Sequence, residues 1–270
     1  MTNLLHINGG ECLLIFKSKL IKLDFFMNGI VVANNYAELS LSDKEQVLNL
    51  LQENGRALEF ANQQLRADKE LVLCAVRQKG RALKFASPEL KNDFECVLAA
   101  VTQNGKALEY ASDELKSNVD IVIAAVSNNG SALIFAADEL QSNSSVVLAA
   151  VAQNGGALKF AADNLRGDYA LVLAAVKLKG RALEFSSAEL RAEKEIVLAA
   201  VKENDWAFAH ASDELRADKD FVLQVVSLKG RALEFASDEL KADPEVILTA
   251  AIEYEWAFDH AAVELISNRD

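Results

Sequence analysis

Residues Asp68–Asn92 read DKELVLCAVRQKGRALKFASPELKN, and the chain rewrites this stretch every 25 residues from Asp43 to Ser267 without insertion or deletion. The landmark is a glycine at Gly55, Gly80, Gly105, Gly130, Gly155, Gly180 and Gly230; only Asp205 and Glu255 break the series. Nine units result, numbered here 1 to 9 and opening at residues 43, 68, 93, 118, 143, 168, 193, 218 and 243. A fixed period of this length marks stacked repeats, because no single unit can bury its apolar face alone. The expected fold is an all-α solenoid of nine 25-residue two-helix repeats with an atypical N-terminal cap.

Each unit divides at its glycine. The first half opens on Asp, Asn or, once, Glu193, and the Asp and Asn residues read as N-caps that accept hydrogen bonds from free backbone N–H groups. Acidic residues two places on, such as Glu70 and Glu95, sit against the positive end of the helix dipole. The signature V-L-x-A-V then predicts a helix of about ten residues, buried on a broad face, with alanines that let neighbours approach. The glycine reads as the left-handed residue that closes this helix. A second, shorter helix, such as Arg56–Ala61, carries an aromatic slot: Phe60, Phe85, Tyr110, Phe135, Phe160, Phe185, His210, Phe235 and His260. A last turn, S-D-E-L, is capped by Ser112, Ser187, Ser212 or Ser237.

Residues 1–42 do not carry the repeat cleanly. Residues 1–10 are expected to fray. Glu11–Phe26 fits a helix or two short strands; the cap over residues 11–42 is read as degenerate and partly helical, covering the open end of the core. Residues 268–270 form a tail.

The formal charge of −12 argues against a nucleic-acid partner and against an anionic membrane surface. No apolar run is long enough to span a membrane, and no classical secretion signal is visible. Of the three cysteines, Cys74 and Cys96 fill slots held elsewhere by Ala and by aliphatic residues, so they read as core packing. No motif for an enzyme, a cofactor or a metal is present. An acidic ridge runs through Glu89, Glu114, Glu139, Glu189, Glu214, Glu239 and Glu264, with a basic ridge two residues along from Arg66 to Lys241. It reads as a solvated, ion-paired face; a cryptic enzyme would need a carboxylate there with a raised pKa. The recurrent Asn-Gly pairs read as turn chemistry.

Units 7 and 9 depart together, as Asp205-Trp206-Ala207-Phe208-Ala209-His210 and Glu255-Trp256-Ala257-Phe258-Asp259-His260. Trp206 and Trp256 occupy a slot that elsewhere accepts Arg, Lys, Ser and Gly, so it is expected to be exposed. Each precedes a histidine by four residues, which on an α-helix puts both on one face. The departures read either as local repacking or as an interface, since Trp is enriched at binding hot spots. Unit 9 also carries Ile252, Tyr254, Val263 and Ile266 where other units are mostly polar. The candidate partner-binding residues are therefore Trp206, His210, Tyr254, Trp256, His260 and Ile266, with unit 9 a candidate surface for self-association.

The string D-x-E-x-V-L-A-A-V-x-x-N-G-x-A-L-x-F-A-S-D-E-L resembles the tandem repeat of an uncharacterised domain. That domain occurs in bacteria living inside amoebae or other eukaryotic cells and in some protists. A weaker similarity is to leucine-rich variant repeats. The resemblance supplies no catalytic residues and implies an interaction role, in the cytoplasm or in a protein delivered into a host cell. The expected function is a non-enzymatic scaffold for a protein or peptide; the rival is a regulatory or targeting array belonging to a larger enzyme or complex.

Overall fold

The structure, a computed structural model, describes residues 3–7, 11–16, 19–25, 31–32 and 44–253. In units 2 to 8 every long helix has ten residues, as in Lys69–Gln78 and Phe94–Gln103. It starts on the residue the sequence marks: the side chains of Asp68, Asp93, Asn118, Asn143, Asp168 and Asp218 accept hydrogen bonds from the first-turn backbone. Glu193 opens unit 7 without such a bond, its longer side chain being a poor N-cap.

The second half is tighter than an α-helix. It is a 3-10 helix in each of units 1 to 8, from Gly55–Phe60 to Gly230–Phe235. Its N-cap is the residue before the glycine. Asn54, Asn104, Asn129, Asn154 and Asn204 each take a backbone N–H two residues on, so the Asn-Gly pairs serve the turn. A one-turn α-helix ends the unit, as in Asp113–Lys116, which Ser112 caps.

The long helices stack in one layer and the 3-10 helices in a second, and extended contacts join only elements of the same or adjacent units. The core lies between the layers. The long helix of unit 2 contributes Leu71, Val72, Ala75 and Val76; the 3-10 helix contributes Gly80, Ala82 and Leu83. Units 3 to 6 repeat this set, with Cys96 fully buried in the first slot of unit 3; unit 7 buries Ala207 and Phe208 instead, and in unit 8 Leu233 is only partly buried. Burial pushes the Cys96 thiol up to about 12, so it is an inert packing group. One backbone bond also crosses each boundary. Ser87 N–H donates to the Arg66 carbonyl at 2.9 Å, and the same bond recurs down to Ser237 N–H and the Arg216 carbonyl at 2.8 Å.

The glycine serves a different purpose from the one its sequence position suggests. No repeat glycine from Gly55 to Gly180 has a positive φ. The residue before it, such as Asn104 at φ −152° and ψ 106°, closes the helix in extended backbone. What forbids a side chain is the next unit: a Cβ on Gly105 would overlap the Ala125 carbonyl oxygen, and one on Gly130 that of Ala150. The glycine N–H meets the next unit too. Gly80 donates to Gln103 Oε1 at 2.6 Å, Gly105 to Asn128 Oδ1 at 2.7 Å and Gly130 to Gln153 Oε1 at 2.6 Å.

The N-terminal segment departs from the partly helical expectation. Asn3–Ile7 (β1), Glu11–Phe16 (β2), Lys19–Phe25 (β3) and Val31–Val32 (β4) form an antiparallel sheet in the order β1-β2-β3-β4, with Leu5 opposite Leu13 and Leu14 opposite Ile21. Residues 3–7, expected to fray, are thus paired. Short apolar runs of five to seven residues do not distinguish helix from strand by period, and the Ile and Phe in them favour strand while the Leu does not. The all-α class describes the repeats from Lys44 onward.

Lysine ladders tie successive N-caps together at both ends of the array. Lys44 reaches Asp68 and Glu70 at 2.8 Å, Lys69 reaches Asp93 at 2.9 Å and Glu95 at 3.0 Å, and Lys219 reaches Asp243 at 2.8 Å and Glu245 at 2.9 Å. Burial would raise the Asp93 pKa, but the Cys96 N–H and the Lys69 ammonium outweigh it and hold the carboxyl below its ordinary value. A carboxylate depressed in the folded state adds stability above its unfolded pKa of about 3.9, and that stability is lost as pH falls through the folded value. Asp93→Asn keeps a cap of the kind used at Asn118 and removes the charge. The variant is therefore expected to be less stable than the parent at pH 7, with the gap closing by pH 2 as the parent aspartate protonates. Urea midpoints at the two pH values check this.

Candidate functional site

Trp206 and His210 lie on the 3-10 helix Asp205–His210, and this separates them. With about three residues per turn, residues four apart point in different directions, unlike on the α-helix expected from sequence. Trp206 is 47% exposed and packs toward unit 8, its ring 5.3 Å from that of Phe235 and tilted by 53°. The Arg231 guanidinium sits over the same ring at 5.1 Å. His210 turns to unit 6, with Nε2 3.9 Å from Glu184 Oε2. Burial pushes its pKa down; Glu184 opposes this, and Arg181 and Arg191 add to it. The two residues do not form one site. Tyr254, Trp256, His260 and Ile266 lie outside the described residues.

Trp206 belongs to an enlarged boundary. Asp205 stands where other units have glycine, and Val225, in the next unit, stands where Ala100, Ala125 and Ala150 stand. The long helices of units 7 and 8 come close at fewer places than those of units 6 and 7 or 8 and 9, and those of units 5 and 6 at few places too. Larger side chains fill the space. Phe208 replaces the usual leucine and Phe221 the usual aliphatic residue; both are fully buried, with ring centres 6.2 Å apart. Repacking accounts for Phe208, while Trp206 remains half open on the outer surface.

Among the described residues no ion pair joins the acidic ridge to the basic one, although the Arg191 charge helps hold the Glu189 pKa down. The cation that ends the short helix pairs instead with the aspartate that begins it, three residues earlier: Lys116 with Asp113 at 3.4 Å, Lys241 with Asp238 at 3.2 Å, and likewise Arg166 with Asp163 and Arg216 with Asp213. The glutamates of the acidic ridge face solvent, and among the described residues every carboxylate with a displaced pKa is displaced downward, Glu89 and Glu189 included.

The sequence reading missed a row of leucines. The sixth residue of each unit is Leu48, Leu73, Leu98, Ile123, Leu148, Leu173, Leu198, Leu223 or Leu248, and none of them is fully buried. Leu148 is 48% and Leu248 56% exposed. They form a continuous apolar stripe on the outer face of the long-helix layer, beside the half-buried Cys74, Ala99, Ala124, Ala149, Ala174 and Ala199. The stripe widens in the middle. One turn before each leucine, units 1, 2, 7 and 8 carry Lys44, Lys69, Lys194 and Lys219, but units 3 to 6 carry Phe94, Val119, Ser144 and Tyr169. Phe94 and Val119 are exposed, and the helix Ser144–Gln153 has no charged residue. Between units 6 and 7 the same face opens into a groove of 720 Å³ lined by Leu173, Leu198 and Ala199, with Lys177, Lys202, Glu195 and Glu203 at its walls. The available signal was an invariant large aliphatic residue beside an already sufficient Val and Ala core.

The family described as Domain of unknown function (DUF4116) matches residues 43–91, 68–116, 93–141, 118–166, 143–191, 168–216, 193–241 and 218–266. The chain belongs to this family. Each DUF4116 match spans two units and starts where a unit starts, so the eight overlapping matches cover all nine units. The description carries no activity. No curated protein and no solved structure matches the chain. Among the described residues no helix is long and apolar enough to cross a membrane.

Proposed function

We propose that the array is a non-enzymatic scaffold that holds a partner protein along the leucine stripe. The observation that carries this reading is the middle of the stripe, where the exposed Phe94, Val119 and Leu148 stand beside Leu98 and Ile123, which rest half-buried on the core. Long helices stacked about 8–10 Å apart present one leucine per step. An amphipathic helix with an apolar residue every seventh place repeats at about 10 Å and matches that step. The lysines flanking the uncharged middle at both ends set its register by charge. The downward-shifted carboxylates support a binding role over acid–base catalysis. Delivery into a host cell rests on the sequence resemblance described above.

A triple variant, Leu98→Glu, Ile123→Glu and Leu148→Glu, tests the reading. Leu98 and Ile123 also pack against the core, so the helical circular dichroism of the variant is matched to that of the parent first, and Leu148→Glu alone, at a 48% exposed site, is the variant whose folding is not in question. Crosslinking in a eukaryotic lysate is expected to recover a protein with the parent that is lost with the variant and retained with Trp206→Ala. Recovery of the same proteins in equal amounts by all three would remove the stripe as the docking face.

A further inference from the structure

Unit 2 reverses charge on the side of the array opposite the leucine stripe. The fifth residue of the 3-10 helix is Glu59, Glu109, Glu184 or Glu234 in units 1, 3, 6 and 8, but Lys84 in unit 2 and Lys159 in unit 5. The short helix begins with Asp113, Asp138, Asp163, Asp213 or Asp238 in units 3, 4, 5, 7 and 8, but with Pro88 in unit 2 and Ala188 in unit 6, so among units 1 to 8 only unit 2 combines a lysine on the 3-10 helix with the loss of that aspartate. That aspartate neutralises the cation three residues on in units 3, 5, 7 and 8. With proline in its place, Lys91 has no such partner. The nearby Glu89 carboxylate lies beside the Ser87 hydroxyl and its own backbone N–H, which hold its pKa down.

A third cation completes the cluster. Arg66 comes from unit 1, whose short helix opens on the uncharged Gln63. Its Nε donates to the Ala61 carbonyl at 2.9 Å and its Nη2 to the Glu59 carbonyl at 2.5 Å, which anchors the guanidinium against backbone. Lys84 Nζ stands 5.8 Å from the centre of the half-exposed Phe85 ring. Burial pushes the Lys91 ammonium down from its ordinary value, and the charges of Arg66 and Lys84 push it further. Among the described residues, no ion pair joins these three cations to a carboxylate. The Arg66 carbonyl accepts the Ser87 N–H at 2.9 Å, which sets Arg66 beside the short helix that carries Lys91, and these cations, without an ion-pair partner in a chain of net charge −12, form a site whose complement is an anion.

We propose that Arg66, Lys84 and Lys91 bind an acidic segment of a partner protein, seating carboxylate- or phosphate-bearing side chains among the three cations. A nucleic acid fits less well, because it needs a basic track and the 3-10 row continues into Glu59 on one side and Glu109 on the other. A short anionic group flanked by neutral or apolar residues avoids both, with Phe85 and Tyr110 open to its neighbours.

The test uses the full chain and fluorescence anisotropy with four labelled probes. Three are short Gly/Ser/Leu peptides carrying three glutamates, three phosphoserines or three glutamines, and the fourth is a single-stranded oligonucleotide. The expected result is binding of the glutamate or phosphoserine peptide, weakened by raising salt from about 50 to 300 mM, and none of the glutamine peptide. Tighter binding of the phosphoserine peptide would assign the site to phosphate, and equal binding to carboxylates. Lys84→Glu and Lys91→Ala are each expected to weaken binding about tenfold, with Arg181→Ala in unit 6 unaffected. Lys84 is exposed, so Lys84→Gln provides a variant whose folding is not in question. Failure of both acidic peptides to bind, equal binding by the Lys84 variants and the parent, or preference for the oligonucleotide would each overturn the proposal.

Discussion

Gly105→Ala is expected to destabilise the array by about 1–3 kcal/mol, the range for forcing one extra carbon into a filled space. The added Cβ would lie on the Ala125 carbonyl oxygen, which is backbone and cannot rotate away, with the Asn129 side chain closing the other side. Relief requires units 3 and 4 to move apart, which stretches the 2.7 Å bond from Gly105 N–H to Asn128. Gly167→Ala is the matched control. Its Cβ would meet nothing nearer than 3.7 Å, and its backbone at φ −97° and ψ 0° accepts any residue. That variant should be neutral or more stable by about 0.4–1 kcal/mol, through a less flexible unfolded chain. Equal urea midpoints for the two variants would show that the glycine does not act through the unit boundary.

Phe208→Ala should cost more, about 3–5 kcal/mol, because a fully buried aromatic side chain is removed and its partner Phe221 loses the facing ring. Each unit touches only its neighbours, so the damage falls on one boundary. With Trp256 replaced by Phe, so that Trp206 is the single tryptophan, its fluorescence reports that boundary. In the variant it should change at lower urea than the helical signal of the whole array, while in the parent the two coincide.

The repeat made much of this molecule legible from sequence. Nine copies without insertions fix the unit starts, and Asp68, Asn118 and Ser112 cap the helices that their residue types predict. What sequence could not show lies between units or depends on helix type. The glycine looks like a left-handed helix stop because that is its usual use, whereas here the obstacle is a carbonyl about 20 residues away that only stacking brings close. Trp206 and His210 seem to share a face until the segment proves to be a 3-10 helix, whose three-residue turn sends one to unit 8 and the other to unit 6. The leucine row hid inside V-L-x-A-V, because one helix alone does not say which of its apolar residues the second layer will cover. In Asn3–Phe25 the runs were too short for period to separate strand from helix.

The loosened boundary at Asp205 also constrains how such a gene can grow or shrink. Copying any unit from 2 to 5 sets a glycine against an alanine carbonyl again, and the new joint is as good as the old. Unit 7 is different: its Phe208 faces Phe221 of unit 8, and a crossover that delivers another successor removes that facing ring. Units 7 and 8 therefore travel as a pair, and arrays of this family that differ in length should gain or lose them together.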